Sequence, residues 1–274
     1  MIYYVSAAVF ISAAAVFAVS FWLSVVWLKV NQETVVFDNL PVNLRGLKIL
    51  HISDIHYSRK RKFNLDIWRQ IENLDFDLAV ITGDLVQDYF FELEPHLPRF
   101  KALANRSDVF FVDGNHDMKA YSQIKNALGE AGVRTLENSG FECDIAGFGK
   151  INLIGVRDYY HLQSNNFAGI DALFKKYSGK FNIVLSHQPQ IFDKLGGKDG
   201  LETGLVLSGH THGGQVRIPF LPVIFAPGQG FLPKYGDGWY SDGTNKMHVS
   251  KGIGRTRFPI RIFNRPEISI VELT

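Results

Sequence analysis

The sequence predicts an α/β domain in which a mostly parallel sheet has a second sheet packed against it. Apolar runs rich in β-branched residues alternate with stretches of helical periodicity, which is the order expected for β-α-β units. The stretch 218–240 is instead rich in glycine, proline and aromatic residues, and the apolar runs after it favour strands. A chain of 274 residues is long enough to bury such a core as one domain.

The individual elements follow from the same periodicities. Strands are predicted at 47–52, 78–82, 109–112, 133–136, 150–156, 181–185, 205–207, 247–249 and 268–273, with an edge strand over 35–37. Helices are predicted around 64–73, 92–103, 120–128 and 170–177. Residues with ligand chemistry stand directly after strands, as in open α/β sheets that bind ligands at the carboxyl ends of their strands.

Side chains that bind metals well follow five of these strands. His210 and His212 come after the strand at 205–207, where Gly209 lets the backbone turn. An isolated pair of this kind is more often an ordinary loop feature, but similar residues recur at four other strand ends. Because Asp54 and His56 are two residues apart, extended backbone would turn both to one side. The full set is Asp54, His56, Asp84, Asn115, His187, His210 and His212.

This set of donors predicts a site for two divalent ions. Two carboxylates, four imidazoles and one amide suit Mn first, with Fe or Zn as alternatives, and no thiolate selects a softer metal. Seven protein ligands are too many for one open site. Two ions about 3.5 to 4 Å apart, sharing a carboxylate, can stabilise both the attacking and the leaving oxygen of a displacement at phosphorus.

The motifs resemble the signature of the calcineurin-like metallophosphoesterase superfamily over residues 47–273. Its pieces D-x-H, G-D, G-N-H-[DE], H and G-H-x-H occur here in that order, each behind a predicted strand. They are Asp54-Ile55-His56, Gly83-Asp84, Gly114-Asn115-His116-Asp117, His187 and Gly209-His210-Thr211-His212. The resemblance implies a four-layer α/β/β/α sandwich.

The resemblance also implies a role for each residue of the site. One metal would be held by Asp54, His56, Asp84 and His212. The other would be held by Asp84, Asn115, His187 and His210, so that Asp84 bridges the two ions. A hydroxide between the ions would be the nucleophile. His116 would donate a proton or hydrogen bond to the phosphoryl or leaving-group oxygen, and Asp117 would hold its ring in place.

Two positions depart from the family pattern. The family commonly has an acidic residue three positions after the G-D aspartate, and here that position is Gln87. Asp113, directly before the G-N-H motif, is also unusual. The sequence gives no physical reason for Asp113, and it leaves a supporting role at position 87 in doubt.

The N-terminal segment predicts a membrane anchor. Residues 1–30 are apolar enough to suggest a spanning helix, followed by a linker over 31–46 and the catalytic domain over 47–274. A cleaved signal peptide is the alternative, although it would need a basic start and a shorter apolar stretch. Basic residues after the span predict a single-pass protein of the inner membrane with its domain facing the cytoplasm.

The longer context around 208–219 and 249–268 resembles bacterial membrane-associated phosphodiesterases, a branch that includes enzymes cleaving UDP-2,3-diacylglucosamine. The leading interpretation is therefore a dinuclear phosphoesterase acting on a phosphodiester or pyrophosphate bond in a lipid, with a nucleotide-linked lipid such as UDP-2,3-diacylglucosamine as the leading candidate. The apolar loop 220–231 is either core or lipid-facing, and salt bridges explain arginines 255, 257, 261 and 265 nearly as well as phosphate binding does.

A phosphomonoesterase and a non-catalytic binding module are the alternatives. With 29 basic and 27 acidic residues, the charge gives no case for nucleic acid, and no protein partner is indicated.

Overall fold

A computed structural model describes residues 2–58, 67–87, 91, 93–158, 168–195, 204–254 and 261–274. In these ranges the strands are β1 Lys29–Val35, β2 Lys48–Ile52, β3 Leu78–Thr82, β4 Asp108–Val112, β5 Arg134–Thr135, β6 Ser139–Ile145, β7 Gly149–Val156, β8 Asn182–Ser186, β9 Gly204–Ser208, β10 Phe225–Ala226, β11 Gly230–Phe231, β12 Gly238–Ser241, β13 Lys246–Val249 and β14 Glu267–Leu273. The helices are α1 Ile2–Val26, α2 Ile67–Glu72, α3 Leu97–Ala104, α4 Tyr121–Glu130 and α5 Ala168–Lys176.

Two mixed sheets face each other across an apolar core, which confirms the predicted α/β sandwich. The described strands form one sheet in the order β1-β14-β2-β3-β4-β5 and another in the order β12-β13-β9-β8-β7-β6. Ile49 and Val80 of the first sheet pack with Leu185 and Leu207 of the second in the core between them. Alternate residues of each strand thus point to this core, and the others point outward.

Helices cover the outward faces and complete four layers. Trp68 of α2, Phe100 of α3 and Ile124 of α4 belong to the cluster on the outer face of the first sheet. Phe174 of α5 packs with Val184 on the outer face of the second sheet. Since both sheets are buried on both faces, their strands are continuously apolar, which is the pattern that made them recognisable in the sequence.

The topology brings the candidate ligands to one edge of the sandwich. In the first sheet β2, β3 and β4 are parallel neighbours, so the loops after them leave from the same edge. In the second sheet β8 and β9 are parallel neighbours as well. The five loops that carry the predicted ligands follow these five strands.

Residues of the predicted linker 31–46 take part in the first sheet. β1 pairs in parallel with β14 over Lys29–Val35, so this edge of the sheet begins upstream of residue 47. Buried Leu40 and Leu44 then pack into the core between the sheets. The boundaries between anchor, linker and domain stay predictions. β6 and β12, which the sequence did not identify as strands, close the two edges of the second sheet.

The predicted membrane anchor over residues 1–30 is not supported. The segment forms α1, but no helix among the described residues is both long and apolar enough to cross a membrane. The predicted single-pass location in the inner membrane and the cytoplasmic orientation both depended on that anchor, so neither has support.

Candidate active site

The first group of candidate ligands gathers residues from three loops around one point. Nε2 of His212 lies 3.2 Å from Oδ1 of Asp54 and 3.1 Å from Nε2 of His56. Nε2 of His56 lies 3.5 Å from Oδ2 of Asp84. Single atoms of these four residues all lie within 4.8 Å of one another, which is the spacing needed to surround one ion.

The second group shares Asp84 with the first. Oδ2 of Asp84 lies 3.4 Å from Nε2 of His187, and this nitrogen lies 3.1 Å from Nδ1 of His210. The same carboxylate oxygen therefore stands between His56 on one side and His187 on the other. This is the geometry of a carboxylate that two neighbouring cations could share.

Most of the candidate ligands have backbone conformations that residues other than glycine rarely adopt. The φ angles of Asp54, His56, Asp84, His210 and His212 are +53°, +56°, +50°, +71° and +51°. Left-handed backbone at non-glycine residues is uncommon and concentrates at functional sites. The extended conformation predicted for Asp54 and His56 is therefore wrong, because the chain turns sharply there. Both residues nevertheless reach the same group of ligands.

Two glycines of the motifs allow the loops to approach closely. A Cβ atom at Gly114 would overlap the carboxylate of Asp84, and one at Gly209 would overlap Ser53 and Asp54. Only glycine leaves room for such backbone approach. The motif glycines thus set the distance between loops that come from different strands.

Hydrogen bonds to neighbouring groups fix the ligand side chains. Oδ2 of Asp54 accepts from Oγ of Ser53 at 2.6 Å and from the backbone N–H of His210 at 3.1 Å. Nδ1 of His187 lies 2.7 Å from the carbonyl oxygen of Thr82. Because a carbonyl only accepts, Nδ1 of His187 carries a proton, which leaves Nε2 as the ring nitrogen that would face a metal.

The protonation of the site suits a bound cation. Burial lowers the pKa of His56 to about 3 and that of His210 to about 3, so both rings are neutral at pH 7 and can offer lone pairs. Burial opposes the charged forms of Asp84 and His187, yet their mutual attraction outweighs it. The pKa of Asp84 lies well below its usual value, and that of His187 lies well above. A site that draws positive charge into a fully buried position would accept a metal ion.

Buried polar atoms without partners give an independent test of the fit. Oδ1 of Asp54 and Oδ1 of Asn115 are buried and have no hydrogen-bond partner among the described residues. Such atoms cost free energy unless something binds them. Their donor types are those that intermediate divalent ions prefer, so the residues fit the two predicted ions.

His116 lies beside the ligands with a different partner from the one predicted. Its Nδ1 lies 2.8 Å from the carbonyl oxygen of Gln87, so Nδ1–H donates there and Nε2 takes no part in this contact. Its ring meets the ring of His56 edge to face, with 4.9 Å between centroids. Unlike most of the site it is partly exposed.

The predicted role of Asp117 as the residue that holds the His116 ring is wrong. Its two carboxylate oxygens accept from the backbone N–H groups of Val86 and Gly114, at 3.0 and 2.9 Å. Asp117 therefore ties together the loops after β3 and β4. The sequence could not distinguish these partners, because every residue except proline offers a backbone N–H donor, whatever its side chain.

The arginines proposed for phosphate binding have other contacts. Arg261 is buried and donates to the carbonyl oxygens of Lys251 and Gly254, while Nη2 lies 3.1 Å from Nδ1 of His212. Arg265 donates to the carbonyl oxygen of Trp27. Positions 255 and 257 lie outside the described residues. The sequence-based search thus missed Arg261 as a support of the ligand loop.

Comparisons with known proteins cover the same strands and loops. The calcineurin-like phosphoesterase family matches residues 47–214. The chain is 29% identical over 254 residues to the uncharacterized metallophosphoesterase YkuE of Bacillus subtilis (strain 168). The aligned region is 90% of this chain and 85% of that protein.

Two further relatives have similar levels of identity. An uncharacterized metallophosphoesterase of Helicobacter pylori (strain J99) is 32% identical over 250 residues, which is 89% of this chain but 64% of that protein. Phosphodiesterase YaeI of Escherichia coli (strain K12) is 27% identical over 258 residues, covering 90% of this chain and 88% of the relative. Each alignment spans most of this chain.

Proposed function

Because the chain belongs to the calcineurin-like phosphoesterase family, we propose that it hydrolyses a phosphodiester or pyrophosphate bond with two divalent ions. Membership of the family makes it a metal-dependent phosphoester hydrolase. The observation that supports the dinuclear site best is the position of Asp84 Oδ2, 3.5 Å from His56 Nε2 and 3.4 Å from His187 Nε2.

The ions would be held by the two groups that share Asp84. Asp54, His56, Asp84 and His212 would hold one ion, and Asp84, Asn115, His187 and His210 would hold the other. Mn is the first choice, with Fe or Zn as alternatives, because the donors are oxygen and imidazole nitrogen. When bound, the ions supply Lewis-acid stabilisation of the phosphoryl group and an activated water nucleophile.

The protein's own groups would complete the reaction. His116 donates Nδ1–H to the Gln87 carbonyl, so Nε2 is the nitrogen available to substrate, and in the doubly protonated ring it would give a proton or hydrogen bond to the leaving-group oxygen. Asp117 holds the loop of His116 against the loop of Asp84 through backbone N–H groups. We propose a diester rather than a monoester as the substrate because a related protein is named a phosphodiesterase.

The proposed bond preference predicts a Mn-dependent activity that is higher on a diester than on a monoester. Purified protein would be assayed with bis(p-nitrophenyl) phosphate and p-nitrophenyl phosphate, with and without added Mn. We expect a higher kcat/KM on the diester and little activity on either substrate after chelation. Faster hydrolysis of the monoester would favour a phosphomonoesterase. No hydrolysis of either substrate by Mn-loaded protein would favour a non-catalytic binding module.

The surface beside the site supports an amphiphilic substrate. Phe220 and Phe231 are 105% and 80% exposed and the adjacent Leu232 is 74% exposed, whereas Val223 and Ala226 are buried, so the loop 220–231 turns only part of its apolar surface to solvent. Phe220 and Leu232 also have φ angles of +69° and +50°, which bulky residues rarely adopt. The segment comes close to the metal ligands, since a Cβ at Gly228 would lie 2.8 Å from Nε2 of His210.

A cavity of about 540 Å³ lies elsewhere, against α1, whereas the cavity of the exposed loop is about 370 Å³. The smaller cavity is lined by Gly214, Gln215, Val216, Ile218, Ile224, Phe225 and Pro227. It begins two residues after His212, so its apolar wall adjoins the ligand loop. An acyl chain there would keep its phosphorylated head near the ions, as in UDP-2,3-diacylglucosamine.

We expect the double variant Phe220→Ser/Phe231→Ser to lose its preference for an acylated substrate. The kcat/KM ratio between UDP-2,3-diacylglucosamine and its deacylated form, in detergent micelles with Mn, should fall about tenfold, since one buried phenylalanine is worth more than the ~1.4 kcal/mol involved. Val42→Ser, which also removes an exposed apolar side chain, is the matched control and should keep the ratio. Equal rates on both forms in the unmodified protein would contradict the lipid substrate alone.

A further inference from the structure

The two residues that directly follow β7 contact two loops that carry candidate ligands of the second ion. One loop follows a strand of the first sheet, and the other follows a strand of the second sheet. Arg157 donates from Nε and Nη2 to Oδ2 of Asp113, at 3.2 and 3.0 Å. Asp158 accepts from Nε2 of Gln188 at 2.5 Å. Asp113 directly precedes the Gly114-Asn115-His116 motif, and Gln188 directly follows His187.

The Asp113–Arg157 pair joins the two sheets. Asp113 follows β4 in the first sheet, and Arg157 follows β7 in the second. The carboxylate is fully buried, while the arginine side chain is 32% exposed and lies 3.8 Å over the ring of Tyr121. A two-point contact between guanidinium and carboxylate fixes both distance and orientation. It therefore sets where the loop of Asn115 and His116 lies relative to the second sheet.

The Asp158–Gln188 contact restrains the second loop, which carries His187. Both side chains are buried, at 3% and 6% exposure. Gln188 also accepts at its backbone carbonyl from Oγ of Ser186, at 3.3 Å, so the segment on both sides of His187 is restrained. Since Arg157 and Asp158 are adjacent in the chain, the two contacts hold both loops to a single short segment.

We infer that Arg157 and Asp158 are positioning residues that set the spacing between Asn115 and His187 for the second metal ion. The inference rests on the proposed function, because it requires two ions. Neither residue is a candidate ligand, and each acts through the loop that it holds. It also accounts for Asp113, whose buried carboxylate is the partner of Arg157.

The test is Mn binding by the full chain, without substrate. Equilibrium dialysis at a series of free Mn concentrations would give the number of ions and the Kd of each. We expect two ions in the unmodified protein. In Arg157→Gln and in Asp158→Ala the weaker Kd should rise about tenfold or more, the scale seen when groups that orient metal ligands are removed, with little change in the tighter Kd. In Mn EPR, both variants should lose the signal of coupled ion pairs at free Mn concentrations where the unmodified protein retains it.

Matched variants separate positioning from general damage. Arg134→Gln removes an arginine stacked over Phe141 and should leave both Kd values unchanged. Arg157→Lys should recover part of the lost affinity, since it keeps the charge but not the two-point contact. Gln188→Leu should raise the weaker Kd as much as Asp158→Ala does. The double variant should raise it no more than either single change, because both remove the same contact.

The outcomes distinguish the two levels of the inference. Fewer than two Mn ions in the unmodified protein would overturn the dinuclear site itself. Two ions with unchanged Kd values in Arg157→Gln and Asp158→Ala would overturn the positioning role and leave the dinuclear site intact. Equal weakening of both Kd values, together with a lower Tm, would also overturn it, since that pattern means general destabilisation.

Discussion

Asp84→Ala is expected to abolish hydrolysis and to remove both metal ions. Oδ2 of Asp84 faces His56 in one group and His187 in the other, so its loss affects both. Two divalent ions about 4 Å apart repel by roughly 16 kcal/mol at an effective dielectric constant of 20, and a shared carboxylate offsets part of this. Elemental analysis after gel filtration in Mn-containing buffer should find two ions per chain in the unmodified protein and close to none in the variant.

Asp75→Ala provides the control for loss of a carboxylate. Asp75 is exposed and pairs with Lys48 at the opposite end of β2, so its removal should leave metal content and turnover unchanged. Asp84→Asn keeps the size of the side chain but not its charge, and it should bind fewer ions than the unmodified protein. Two ions retained per chain in Asp84→Ala would show that Asp84 does not bridge them.

The position of the site could be predicted because all the candidate ligands lie in loops that directly follow apolar strands. Buried strands are readable as continuous runs of β-branched and aliphatic residues, and parallel neighbours place their ends at one edge. β3, over Leu78–Thr82, has the predicted bounds and ends two residues before Asp84. The pattern therefore identified both the strand and the candidate ligand that it positions.

The conformation of the loops could not be predicted in the same way. The alternation of extended backbone suggested that Asp54 and His56 share a side, whereas both residues are left-handed, at φ +53° and +56°. Such conformations depend on contacts from distant parts of the chain, such as the hydrogen bond from the backbone of His210 to Asp54. Local sequence carries no signal for a contact of that separation.

The supporting residues were missed or misassigned for a related reason. Asp117 was the natural partner for His116 by charge, yet the ring is held by the carbonyl oxygen of Gln87 and Asp117 binds backbone N–H groups. Any residue has a backbone carbonyl, so the identity of Gln87 could not reveal this contact. Arg157 is separated from Asp113 by 44 positions, and only the packing of the two sheets brings them together.

His116→Ala is expected to retain both ions while turnover falls by about 100-fold, which corresponds to about 2.7 kcal/mol of lost transition-state stabilisation. His116 lies outside both groups of ligands, and its Nδ1 is occupied by the Gln87 carbonyl. We therefore expect the ring to act on the substrate through Nε2 and to take no part in metal binding. Steady-state kinetics and elemental analysis on the same preparation test both halves of this statement.

The dependence on the leaving group separates proton donation from other roles of His116. A nitrophenolate leaves readily without a proton, whereas an alkoxide does not, so the defect of His116→Ala should be smaller on a p-nitrophenyl diester than on an alkyl diester. Equal defects on both substrates would assign His116 to stabilising the phosphoryl oxygens instead. Loss of one ion along with activity would make His116 a ligand, and the partition of the seven predicted ligands would then be wrong. The edge-to-face contact of its ring with His56, at 4.9 Å, places it close enough to the first group for this outcome to be a real test.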